Sequence, residues 1–108
     1  MAKASWVFIV GTVCTEPSRE QEFNEWYNKV HIPELCRSPG IKGAQRYQIL
    51  DPEEGYPQYI AIYEVDGEEG MKSFNEHIRK QQRGEVPALT KGPPFQVVWR
   101  KAFKHIGP

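Results

Sequence analysis

The sequence predicts a single α+β domain in which a four-stranded antiparallel sheet carries two helices on one face. Three observations lead there. Strand-like and helix-like patterns alternate as β-α-β-β-α-β along 108 residues. Right-handed crossovers then give a split βαβ arrangement, the ferredoxin-like fold, with strand order 4-1-3-2. The two strands placed centrally by that order, the first and third, are also the two whose sequences are apolar on both faces.

Taken in order, Trp6-Val7-Phe8-Ile9-Val10 is a continuous β-prone run closed by Gly11, as expected of a strand buried on both sides. Ser18 and Gln21 offer a capping box after Pro17, and Phe23, Trp26, Tyr27 and Val30 follow at helical spacing. Pro33 has no amide hydrogen and biases Ile32 away from α geometry, so this helix is expected to kink or restart near His31. Ser38-Pro39-Gly40 ends it. Residues 44–50 mix polar and apolar side chains as a flanking strand does, Asp51-Pro52-Glu53-Glu54-Gly55 supplies a polar turn, and Tyr59-Ile60-Ala61-Ile62-Tyr63 is the second central strand. Asp66 with Glu69 caps a second helix carrying Met71, Phe74 and Ile78, weakened at Gly70 and ended by Gly84. Residues 84–94 form a loop rich in Pro and Gly, and 95–103 alternate around Trp99 as the last strand.

Composition excludes several classes of function. Fourteen basic and fourteen acidic side chains leave a formal net charge of zero, so no global field draws the chain to nucleic acid or an anionic membrane. Trp6 to Val10 is the longest apolar run, far short of a membrane span, and the start shows no signal-peptide pattern. A cytoplasmic protein is expected. Cys14 and Cys36 flank a helix and do not read as a disulfide. Three dispersed histidines match no metal-ligand spacing, and there is no phosphate-binding Gly-rich loop or nucleophile elbow, so neither a metal nor a nucleotide is expected. The sheet face away from the helices is too apolar for water, and a sheet-to-sheet homodimer is expected from it.

Chemistry centres on His31. It follows Tyr27 by four residues and so shares the stripe that faces the sheet, where a partly buried imidazole can exchange a proton near neutral pH. The plainer alternative is a structural histidine bonded to backbone. The expected surroundings are the lower end of the sheet, with Trp6, Arg46 and Tyr47. Thirteen aromatic residues exceed what packing requires. Trp6, Phe8, Phe23, Trp26, Tyr59, Tyr63, Phe74 and Trp99 are candidate walls of a pocket for a flat, largely apolar small molecule, although core and interface packing explain such rings equally well. Ala61, small between two phenols, leaves room for a ligand or for a helix ring. His77, one turn beyond Ser73 and Phe74, is a second candidate for the same cavity.

Phe23-Asn24-Glu25-Trp26-Tyr27 followed by His31-Ile32-Pro33-Glu34-Leu35 resembles the F-x-x-W/Y-Y-x-x-x-H-x-P signature of EthD-like members of the dimeric α/β-barrel superfamily. Length and element order match along nearly the whole chain. The resemblance implies a barrel formed by two sheets across a dimer, a cavity in each subunit between helices and sheet, and an acid/base role for His31. It spans cofactor-free monooxygenases, isomerases, cyclases, decarboxylases, dehydratases and haem-degrading enzymes, and the fold does not choose among them. A haem ligand at His77 is the faint resemblance to the haem-degrading branch; the asparagine which that branch carries in its first strand is missing from Trp6-Val7-Phe8-Ile9-Val10.

The expectation is a cofactor-free enzyme performing cyclisation, isomerisation, dehydration or decarboxylation on an aromatic or polyketide-like substrate. His31 is its general base or acid. Tyr47, with Tyr27 or Tyr63, donates to the developing oxyanion, and Arg46 anchors a carboxylate if it points inward; alternation lets only one of Arg46 and Tyr47 do so. The alternatives are a cofactor-free or haem-dependent monooxygenase of the same superfamily and a non-catalytic protein that binds a hydrophobic metabolite.

Overall fold

The computed structural model describes residues 6–51 and 53–107; Pro52, within the expected turn, and residues 1–5 and 108 lie outside them. The elements are β1 (Trp6–Cys14), α1 (Glu20–Trp26), a π-helical turn (Tyr27–His31), α2 (Ile32–Cys36), β2 (Ile41–Gln48), β3 (Tyr59–Val65), α3 (Gly67–Gln82) and β4 (Phe95–Lys104). All neighbouring strands are antiparallel, in the order β2-β3-β1-β4. This is the ferredoxin-like arrangement and the strand order expected from the sequence.

Alternation sorts the sheet into two faces. Tyr59, Ala61, Tyr63 and Val65 are buried under the helices, together with Phe23, Tyr27, Leu35, Met71 and Phe74. Ile60 and Ile62 therefore lie on the other face, where the pairing sets Tyr47 opposite Ile60, Ile9 opposite Ile62 and Phe103 opposite Val7. Tyr47, Trp99 and Phe103 are 50%, 38% and 45% exposed there. Trp99 pairs with Gly11, where an added Cβ would stand 2.8 Å from Pro57 Cγ, so the glycine lets the β2–β3 loop close onto the sheet.

The helix starts differ from expectation. Ser18 caps nothing: Pro17–Arg19 form a 3₁₀ turn, Arg19 occupies the N-cap position of α1, and no side chain caps it. Asp66 is the N-cap of α3 but accepts the Gly70 N–H through its main-chain carbonyl. Gly40, whose φ is +88°, is the packing requirement here, because a Cβ on it would lie 2.0 Å from the Gly70 carbonyl oxygen; a Cβ on Gly70 would itself stand 3.1 Å from the Gly40 carbonyl oxygen. The thiols of Cys14 and Cys36 are free. Among the described residues no helix is long and apolar enough to cross a membrane.

Candidate active site

The site begins with Pro33. A proline cannot donate back to the preceding turn, and the helix accommodates it by widening: the Ile32 N–H reaches the Tyr27 carbonyl five residues back, closing a π turn over Tyr27–His31 before α2 resumes. Such turns are rare in helices and recur at functional sites. This one places Trp26, Tyr27 and His31 against one another. The His31 ring stacks on Trp26 at 4.7 Å between centroids and 23° between planes, and meets Tyr27 edge-on at 4.7 Å. Phe95, at the start of β4, closes the cluster 6.3 Å from His31.

His31 lines two spaces. The larger is a cleft of about 650 Å³ between α2, α3 and the β1/β4 half of the sheet, with Phe8, Val10, Tyr27, Tyr63, Phe74 and Ile78 among its walls. The smaller, about 380 Å³, lies under the loop of residues 89–94 beside Trp26. That loop is fastened at two points. The Glu34 carboxylate accepts hydrogen bonds from the Thr90 N–H (2.9 Å) and the Thr90 hydroxyl (2.6 Å), and Gly92 lies so close on Trp26 that a Cβ would stand 2.2 Å from the indole.

The electrostatics give each polar group a definite state. Burial pushes the His31 imidazolium down to about 4, outweighing the opposing pull of Glu34, so the ring is uncharged at neutral pH and has an acceptor nitrogen. Burial raises the Tyr27 and Tyr63 hydroxyls above the ordinary phenol range, so both keep their protons as donors. His31 Nδ1 is buried without a hydrogen-bond partner, and an unpaired buried polar atom costs ~1–3 kcal/mol; the Tyr63 hydroxyl, buried as well, lies beside that of Tyr27. Behind Tyr27 lies Arg46, its guanidinium carbon 4.2 Å from the Tyr27 ring centre and 5.1 Å from that of Tyr59, with one hydrogen bond to Asn28 Oδ1 at 3.0 Å. Arg46 pairs with Ala61 across β2 and β3, so the space beside that alanine goes to this cation.

The structure thus brings together His31, Tyr27, Tyr63, Phe8 and Phe74 from the expected set, with Trp26 behind His31. Others lie elsewhere. Tyr47 cannot donate into the cleft: opposite Ile60 it points to the outer face, where its hydroxyl donates to Gln45 Oε1 at 2.6 Å. Trp99 is on that same outer face. Arg46 is the inward member of the Arg46/Tyr47 pair, but it packs behind Tyr27 and lines no part of the cleft, so it is not a carboxylate anchor there. Phe23 (0% exposed) and Tyr59 are core, the latter with its hydroxyl accepting from Asn24. Trp6 packs on the core at the end of β1 remote from Phe95 and lines neither space, so His31 sits further up the sheet than expected. His77 faces away from the cleft, toward Pro39, Lys72 and Glu76.

The placement of His77 tests the haem resemblance. The α3 face toward the cleft offers Met71, Phe74, Asn75, Ile78 and Gln82, and β1 offers Phe8 and Val10. A haem ligand at His77 does not fit this arrangement. Among the described residues no group of three or more His, Cys, Asp and Glu side chains is placed to hold a metal ion.

Leu89, Asn75, Gln82 and Arg100 line the cleft and were not foreseen. Arg100 was hidden by the expectation that Trp99 lines the pocket: with Trp99 outward in the structure, alternation turns Arg100 inward.

Fold and cleft together define a ferredoxin-like α+β protein with a small-molecule-sized cavity between helices and sheet. The chain belongs to the family described as a domain of unknown function (DUF4286), whose model matches residues 6–90. No curated protein matches it. Among solved structures it is similar to HapK from Hahella chejuensis (TM-score 0.60, 13% identity, 95% of this chain and 94% of that one). It is also similar to the haem-degrading MhuD of Mycobacterium tuberculosis, solved with two haems in its active site (0.57, 14%, 95% and 97%). A candidate monooxygenase from Shewanella loihica PV-4 matches over the full length of both chains (0.60, 18%). At these identities the likeness is one of fold. These matches show the fold and the family, and not the EthD-like subgroup that the sequence motif resembles.

Proposed function

We propose that this chain is a small-molecule enzyme that takes a flat, largely apolar phenol or enolisable ketone into the cleft, where His31 removes a proton. The observation that carries this reading is His31, its Nδ1 unpartnered, lining together with Tyr27 and Tyr63 a cleft whose other walls are largely apolar. An acceptor beside two donors suits proton abstraction with stabilisation of the oxyanion that results. The imidazolium formed is stabilised by that anion and by Glu34, whose charge already favours it. Tyr27 and Tyr63 donate to the anion, and Arg46 supplies positive charge behind Tyr27.

The Shewanella loihica neighbour described as a monooxygenase favours oxygenation over the cyclisation, isomerisation, dehydration or decarboxylation expected from the sequence. With dioxygen as co-substrate, a CH₂ group activated by deprotonation becomes C=O, and the second oxygen atom leaves as water. No step in this scheme passes through haem. The apolar outer face carrying Ile9, Ile62, Trp99 and Phe103 supports a sheet-to-sheet homodimer.

The test uses a hydroxylated anthrone, whose central CH₂ is such a group. Oxygen uptake of one O₂ per ketone formed is expected, and His31→Ala is expected to lower it by ~10²- to 10⁴-fold. Exchange of the CH₂ hydrogens with deuterated solvent, without oxygen uptake, would identify a proton-transfer enzyme instead. Binding with neither exchange nor uptake would leave a metabolite-binding protein and end the catalytic reading.

A further inference from the structure

The cleft is apolar along its floor and carries positive charge at its β4 edge. Its lining contains Arg100 and Lys101 and no Asp or Glu. Register separates the two cations. Arg100 is opposite Val10, which faces the cleft, whereas Lys101 is opposite Ile9 on the outer face. Arg100 is exposed, and among the described residues it makes no hydrogen bond to a side chain and no salt bridge.

The wall across from it is equally free of acids. The α3 residues facing the cleft include the neutral amides Asn75 and Gln82. The acids of α3 are engaged elsewhere: Glu68 and Glu69 pair with Lys72, and Glu76 pairs with Arg79 and Arg83. In a chain with equal numbers of acids and bases, a guanidinium without a counter-ion at the lip of an apolar cavity is an arrangement that a ligand's anion completes. A planar guanidinium matches a carboxylate in bidentate fashion.

Geometry sets how such a ligand lies. Tyr63 is on β3 and Arg100 on β4, with β1 and its Phe8 between them. Neighbouring strands are ~4.8 Å apart and Arg100, opposite Val10, is offset by two residues from the Tyr63–Phe8 pair, so the two side chains start roughly 12 Å from each other. From these relationships the geometry points to Arg100 as a specificity residue: the cleft selects an aromatic carboxylate whose ring lies over Phe8 toward Tyr63 and His31 and whose carboxylate meets Arg100 at the β4 edge. This rests on the reading of the cleft as a ligand site and adds the charge of the ligand to it.

The test compares 2-naphthoate with the neutral isostere 2-naphthamide by titration calorimetry at low salt, on the wild type and the Arg100→Gln and Lys101→Gln variants. The expected result is naphthoate binding about 10-fold tighter than the amide, with the preference lost in Arg100→Gln, retained in Lys101→Gln, and diminished as salt is raised. Equal affinity for the two probes would overturn the role of Arg100 while leaving the cleft a ligand site. A preference that survives Arg100→Gln would do the same. Failure of both probes to bind, with His31→Ala equally inert, would overturn the cleft as a site for aromatic ligands and the carboxylate reading with it.

Discussion

The imidazole of His31 lies flat on the indole of Trp26, with centroids 4.7 Å apart and planes 23° apart, and this contact fixes both the orientation and the charge of the histidine. A ring stacked on one aromatic and edged by another loses most of its hydration. Its charged form is penalised, and it presents an acceptor nitrogen at neutral pH.

That penalty makes stability depend on pH. The folded value of about 4 lies below the ordinary ~6.5 of the unfolded chain, so between these values the unfolded state binds more protons. The contribution is complete above ~6.5 and is lost as pH falls through about 4. Denaturant titrations at pH 7 and pH 4.5 are expected to show the wild type losing about 2 kcal/mol more than His31→Gln. Equal losses would mean that the ring is solvated.

Glu34 is expected to control the loop over the smaller space. Its carboxylate is held below the usual range chiefly by the Thr90 hydroxyl. Glu34→Ala removes both acceptor oxygens from the Thr90 N–H and hydroxyl. Hydrogen exchange at residues 89–94 should accelerate severalfold, with global stability reduced by about 1 kcal/mol at most. Unchanged exchange would show that the loop is held by other contacts.

Gly92→Ala tests the second fastening. The added methyl would meet the Trp26 ring at 2.2 Å, and a stacked indole has little freedom to withdraw. The loop must lift, at a cost of ~1–3 kcal/mol, with a change in tryptophan fluorescence. A variant of wild-type stability and unchanged emission would contradict this packing.

Gly40→Ala should be worse tolerated. It combines a left-handed backbone with a methyl 2.0 Å from the Gly70 carbonyl oxygen, where rigid backbone meets rigid backbone. A loss above ~3 kcal/mol is expected in thermal or chemical unfolding. Gly84→Ala, at φ +75° with open space around it, should cost far less, which separates the clash from conformational strain.

Ile62→Glu addresses the outer sheet face. Sedimentation velocity should find the wild type dimeric and this variant monomeric, with circular dichroism unchanged. A monomeric wild type would leave the apolar face without this partner.

The sequence by itself determined the architecture. Apolar periodicity in β1 and β3, the helical spacing from Phe23 to Val30 and the turn residues between them are local signals, and each is enforced by burial that any chain of this pattern must achieve. It also located His31 on the stripe facing the sheet and the disturbance at Pro33, because a missing amide hydrogen acts within one helical turn. Only the tertiary structure decided which side chains share the cleft. Arg46 or Tyr47, and Arg100 beside Trp99, were choices of strand parity, and parity depends on which partner residue lies opposite: Ala61 turns Arg46 inward, and Gly11 takes Trp99 to the outer face. Trp6 and His77 were misplaced because spacing along one element does not report how far down the sheet, or toward which neighbour, a side chain comes to rest. The Glu34–Thr90 clasp joins residues 56 apart in sequence. Contacts of that range arise only when the whole chain has packed.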